Sequence, residues 1–177
     1  MKYFLLETNK GITQLPQMVD WHRKIDDRNI HTESAYKLAD RIIIFVKGNE
    51  DTFYPDIISK PALLMSKAAK EVVMMYEPRT IWKDIILLDK EHENLKRYFL
   101  PVFEEVHCLD KESVYNMDHG NLKKIVLDAA VVKKHNIFRI AGVGRQYTVA
   151  NLDIVESMLK RGMKGLGITE LLAEVTA

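Results

Sequence analysis

Ala62-Leu63-Leu64-Met65-Ser66, continued through Lys67-Ala68-Ala69-Lys70-Glu71-Val72-Val73-Met74-Met75-Tyr76 to Pro78, is the stretch from which the fold is read. Its first four residues make a short apolar extended run. Ser66 ends that run as a helix N-cap, because its hydroxyl accepts from an unpaired amide of the first turn. Ala69, Val72, Val73 and Tyr76 recur at helical spacing on one face, and Pro78 stops the helix. Ile81 to Leu88 then resumes as a strand. The same plan returns near the other end of the chain. Tyr147-Thr148-Val149 is the strand, Asn151 the cap, and Val155, Met158 and Leu159 the apolar stripe. Gly162 supplies the left-handed position after the helix. Asp153 and Glu156 lie early and Lys160 and Arg161 late, which suits the helix dipole. The repetition is either an internal duplication or a common supersecondary unit used twice.

Outward from these two units, strands are expected at Tyr3 to Glu7, Leu95 to Phe103, Leu122 to Leu127 and Asn136 to Ala141. Turns follow at Asn9-Lys10-Gly11, Asp118-His119-Gly120-Asn121 and Gly142-Val143-Gly144. Asp40 to Lys47 carries the unbroken apolar run Ile42 to Val46, which reads as a strand buried on both faces. Ile168 to Val175 is a closing strand, although Leu171-Leu172-Ala173 suits a helix equally. Ile12 to Tyr36 is polar and aperiodic, and reads as loop with one short helix. The expected class is α+β: a single domain over 1–177, with two main helices packed on a mixed or antiparallel sheet.

Composition sets the outer limits. The chain has 177 residues, 47% of them hydrophobic and 29% charged, with a net charge of +1. That balance supports a buried core and argues against disorder. Basic and acidic residues are interleaved, and even Lys123-Lys124 and Lys133-Lys134 have acidic neighbours. A solvated surface is therefore expected rather than a nucleic-acid track. The single cysteine, Cys108, rules out an intrachain disulfide and is compatible with a reducing compartment. The apolar start at Met1 stops at Glu7, too short for a secretory h-region. No apolar run approaches the roughly 18 residues of a membrane span. A cytoplasmic, non-membrane protein is expected.

Motifs for chemistry are weak. Gly162-Met163-Lys164-Gly165-Leu166-Gly167 closes a helix instead of opening one, the reverse of a dinucleotide loop. Gly142-Val143-Gly144-Arg145 is no phosphate loop, for want of a following Lys-Ser/Thr. His107, Cys108 and His119 lack the paired spacing of a structural zinc site. Cys108 reads as a small core residue, and no serine sits in a nucleophile elbow. No cofactor is expected.

An ordered series of phrases carries a resemblance instead. It runs through Tyr54-Pro55-Asp56-Ile57-Ile58, Pro61 to Ser66, Ile86-Leu87-Leu88-Asp89, Tyr98-Phe99-Leu100-Pro101 and Val106-His107-Cys108-Leu109. It continues with Ile125 to Asp128, Asn136 to Gly142, and Leu152 to Gly162 with Gly165. In order and spacing these resemble a bacterial family of immunity proteins of polymorphic toxin systems, typified by a myxobacterial immunity domain. The likeness covers about 53–177, and 1–52 matches only loosely. The resemblance implies a small intracellular protein that binds and blocks a cognate toxin encoded nearby, with no catalytic residues to carry over. Asp56, Arg139 and Arg161 are the matching polar residues suited to contact a partner, unless they form structural ion pairs.

The leading expectation is thus stoichiometric neutralisation of a toxin domain, not catalysis. Trp21 and Trp82 are candidate interface anchors, since aromatic residues dominate such contacts, though Trp82 also suits a core strand. The segment Ile12 to Tyr36 is a candidate recognition surface. Near-neutral charge does not favour a nuclease target, for which acidic inhibitors gain steering; Asp26-Asp27 and Glu104-Glu105 are adjacent acidic pairs. Two alternatives stand beside this. One is an enzyme of unfamiliar type, with a cleft gathering two or more of His92, His107, His119 and Asp89. The other is a protein that self-associates through a sheet edge.

Overall fold

Two helices begin where a side chain satisfies their orphan amides, and those two points organise everything else. Ser66 Oγ accepts from Ala69 N–H and Asn151 Oδ1 from Ile154 N–H, as the cap chemistry of the two repeated stretches predicts. In the computed structural model, which describes residues 1–175, these are α2 (Lys67–Tyr76) and α4 (Leu152–Lys160). The shorter helices are α1 (Trp21–Lys24) and α3 (Ala129–Val132). The strands run β1 (Tyr3–Thr8), β2 (Gln17–Met18), β3 (Arg41–Lys47), β4 (Ile57–Ile58), β5 (Leu64–Met65), β6 (Ile81–Asp89) and β7 (Asn94–Val102). They continue with β8 (Glu105–Val106), β9 (Val114–Tyr115), β10 (Leu122–Lys124), β11 (Val126–Asp128), β12 (Ile137–Ile140), β13 (Thr148–Asn151) and β14 (Leu166–Glu174).

The α+β class holds, but the single sheet does not. There are two six-stranded sheets, ordered β2-β3-β6-β7-β5-β4 and β11-β14-β1-β13-β12-β8, plus a two-stranded β9–β10 ribbon. Sheet dominates, and the two main helices, α2 and α4, pack between the two sheets instead of on one. No helix among the described residues is long and apolar enough to cross a membrane.

The two sheets follow one plan. In the first, β3 runs parallel to β6, and β7 is antiparallel to both β6 and β5, with β4 antiparallel to β5. In the second, β11 runs parallel to β14, and β1 is antiparallel to both β14 and β13, with β12 antiparallel to β13. The register agrees residue by residue. Met65, just before the Ser66 cap, faces Phe99, which faces Asp84. Ala150, just before the Asn151 cap, faces Phe4, which faces Glu170. Tyr98-Phe99-Leu100 and Tyr3-Phe4-Leu5 are thus the same segment used twice. The molecule is a fused pair of like units related by an approximate two-fold. The second unit takes its central strand from the beginning of the chain.

Each sheet curls until one face closes on itself. Ile42, Ile44, Val46, Ile85, Leu87, Tyr98, Leu100, Leu64 and Ile58 converge in one core, with Met18 against it. The segment before β3 plugs that barrel with Trp21, Ile25, Ile30, Ala35 and Leu38. Tyr3, Leu5, Leu127, Phe138, Ile140, Val149 and Val106 fill the second barrel, with Leu171 and Ala173 packed alongside. Between the barrels, Ala69, Val72 and Val73 of α2 and Ile154, Val155 and Met158 of α4 join Phe4, Leu6, Ile57, Met65 and Ile137. The apolar run Ile42 to Val46 is not buried on both faces. Its burial alternates and Ile43 is 47% exposed, because the outer side of β3 is covered only in part, by α1 and a few long side chains. There Lys24 Nζ and Lys90 Nζ each lie 4.2 Å from the centre of the Phe45 ring.

Candidate partner-binding surfaces

The like units are clasped at two equivalent points, one of which holds a residue singled out from the sequence. Ser66 N–H donates to Asp56 O and Asn151 N–H to Asn136 O. Their side chains repeat the pairing, with Ser66 Oγ donating to Asp56 Oδ1 at 2.6 Å and Asn151 Nδ2 to Asn136 Oδ1 at 2.9 Å. Each partner then reaches across the two-fold to the loop after the other unit's helix. Lys164 N–H donates to Asp56 Oδ2 at 2.6 Å, and Asn136 Nδ2 donates to Glu77 Oε1 at 2.8 Å. Gly165 allows the first clasp to close. Its φ is +76°, and a Cβ there would stand 2.3 Å from Pro55 Cβ. Both carboxylate oxygens of Asp56 are occupied, so its role is to hold the seam.

The other four candidates fall in different places. Trp21 is only 2% exposed, and its Nε1–H donates to Asp27 Oδ1 at 2.8 Å. It anchors the plug of the first barrel and offers no ring face to a partner, because the polar segment folds its apolar residues inward. The exposed aromatic of that segment is Tyr36, at 79%, in the single helical turn Ala35–Lys37. Arg161 is exposed at the end of α4, where it donates to Ser157 O. Trp82 is half-buried, edge-on to Phe103, with Lys70 over its ring.

Arg139 is a latch between the units. It is 6% exposed, donates to Ile30 O and pairs with Glu105 Oε1 at 2.5 Å. Burial pulls its pKa down, while the charges of Glu105 and Asp27 and the hydrogen bond to Glu105 push it back up. Its Nε is buried with no hydrogen-bond partner among the described residues. His31 Nδ1 adds a contact to Glu105 Oε2 at 3.1 Å. Above this latch lies a cleft of about 490 Å³ lined by His31, Glu33, Glu104, Glu105 and His107. The cleft therefore joins His107 to histidine and glutamates that the sequence reading did not group with it. His92 and Asp89 meet elsewhere, at the β6–β7 turn, 2.9 Å apart. Burial raises the Asp89 carboxyl, but hydrogen bonds from His92 and Glu91 hold it lower than usual. His119 lies tilted against Tyr115 at the ribbon, ring centres 6.0 Å apart. Among the described residues, no three of His, Cys, Asp and Glu are placed to hold a metal ion.

A second opening comes from a difference between the barrels. The second barrel is sealed: beyond β8, Asp110 N–H donates to Val126 O and Asp128 N–H to Cys108 O, while β8 itself runs parallel to β12. In the first barrel β2 pairs with β3 but not with β4. Where Ala141 N–H donates to Val106 O in the sealed barrel, the matching position counted from Ile57 and Ile137 is Pro61. Proline has no N–H to give. The other edge carries Pro16, and Ser59 N–H is diverted to Thr8 Oγ1 at 2.9 Å. The result is an open groove of about 490 Å³ running from Leu15 to Arg23 on one side and Lys60-Pro61 on the other. A neighbouring recess of about 250 Å³ shares Leu15 and Lys60 with it. Comparison of the chain with family models and with curated proteins finds no match.

Proposed function

We propose that this protein works by binding another protein, and that the partner is a toxin domain which it neutralises by covering it. The observation that carries the reading is the open groove between β2 and β4. It offers the half-exposed apolar side chains of Leu15 and Met18, exposed Val19 and a proline-lined edge. An apolar floor ringed by polar residues is the ordinary make-up of a protein-binding surface. The ordered likeness to immunity proteins supplies the nature of the partner. Neutralisation needs a buried interface of about 1,600 Å² in total, so Tyr36 and neighbouring loops have to contribute beyond the groove.

The test is co-expression with the toxin-like domain encoded beside this gene, reading cell survival and co-purification. Survival with an equimolar complex is expected. Cell death, with a soluble folded protein and no complex, ends the toxin reading.

A further inference from the structure

The charges around the open groove are unequal, and this says what fills it. Its two carboxylates are already neutralised. Glu7 Oε1 pairs with Arg145 at 2.7 Å and buried Asp20 with Lys24 at 2.7 Å, and Asp20 also accepts from Phe45 N–H. Lys10, Arg23 and Lys60 are exposed and form no ion pair among the described residues. Two uncompensated cations, Arg23 and Lys60, therefore line the groove, and Lys10 lines the recess that adjoins it, in a chain whose overall charge is only +1. In the sealed barrel the counterparts of β2 and β4, which are β8 and β12, pair directly with each other, so the groove is a parting of two strand edges and its shape suits an extended segment laid along them.

We infer that the groove between β2 and β4 receives an extended acidic segment of a partner protein. This rests on the protein-binding reading above and names the partner's element. Pro16 and Pro61 prevent a full backbone ladder, so recognition runs through side chains: alternate apolar residues on Leu15, Met18 and Val19, and carboxylates on Lys10, Arg23 and Lys60. Such charge complementarity steers encounter and sets specificity.

The experiment uses the full chain and the triple variant K10E/R23E/K60E, with folding of both checked by melting. Each is applied to arrays of ten-residue peptides alternating an apolar residue with Glu, Lys or Ser, and to a ten-nucleotide single strand. The full chain is expected to be retained on the Glu set alone, and the triple variant to lose about tenfold or more. Retention on none of the peptides, preference for the Lys set or the oligonucleotide, or an unaffected triple variant overturns the inference. The two readings fail separately. A toxin complex that survives the triple reversal removes the groove and leaves toxin binding. Retention on the Glu set without any toxin complex does the opposite.

Discussion

The first unit is one continuous stretch, β3 through β7, while the second is β11 through β14 completed by β1 from more than a hundred residues away. Topology, register, cap and clasp are shared, yet one barrel is sealed and the other is left open by two prolines. What differs is therefore not the framework but the edges, and the edges carry the surface available to a partner. The comparison also separates residues that hold the framework from those that do not. Asp56, although polar and partly exposed, has an equivalent in Asn136 and belongs to the framework. Lys10, Arg23 and Lys60 sit on the side where the likeness breaks.

The sharpest way to break the comparison is to remove β1. A chain starting at Asn9 is expected to lose cooperative unfolding of the second barrel altogether, because β13 and β14 would face each other across an empty slot. Moving residues 1–8 to follow β14 through a short turn, as β7 follows β6, is expected to restore the melt to within about 2 kcal/mol. Chemical denaturation followed by fluorescence reads both. A permuted chain that stays unfolded would show that the shared register is coincidental.

The clasps come next. Asp56→Ala removes a charged acceptor of two hydrogen bonds and is expected to cost about 2 kcal/mol, against about 1 kcal/mol for Asn136→Ala. Equal or reversed costs in urea titrations would dissolve the asymmetry. For the caps, Ser66→Ala and Asn151→Ala are each expected to cost about 1 kcal/mol. Both also bind their clasp partners, but Asn151 is 1% exposed where Ser66 is only half-buried, so Asn151 should cost the more.

The smallest contrast is electrostatic and concerns Asp84 and its counterpart Glu170. Burial works against the Asp84 charge, but hydrogen bonds from Arg97 and Arg41 outweigh it and hold the carboxyl below its usual range. A depressed carboxylate contributes stability above its unfolded pKa of about 4, and this is lost as pH falls through the folded value. Asp84→Asn should therefore lower the melting temperature at neutral pH and flatten the loss on the acid side of about pH 4. Glu170 meets Lys2 in an exposed pair, so Glu170→Gln should change stability by less than about 0.5 kcal/mol.

Much of the local structure was legible in the residues. Ser66 and Asn151 as caps, Pro78 and Gly162 as helix ends, and the Gly142-Val143-Gly144 turn all follow from chemistry within a few positions. What escaped was non-local. Nothing near Tyr3 says that it pairs with both Asn151 and Leu171, although the recurrence of Tyr-Phe-Leu at 3–5 and 98–100 was a usable signal. The alternation of β3 was hidden because Ile43 and Phe45 are apolar yet lie on the outer face. Trp21 was misjudged as an anchor because the polar residues around it mask an inward-facing apolar set. The groove was out of reach from spacing alone, since Pro16 and Pro61 acquire meaning only once the edges carrying them are brought together.

Cys108 offers a built-in clock for the sealed barrel. It is 1% exposed, and burial pushes its thiol up to about 12, so at neutral pH almost no reactive thiolate exists while the barrel is shut. Its own carbonyl accepts from Asp128 N–H in the pairing that shuts it. A thiol reagent can modify this one sulfur only when that seal parts, so the labelling rate measures how often the second barrel opens. The open barrel contains no such sulfur, and in every variant the signal comes from one side of the molecule alone.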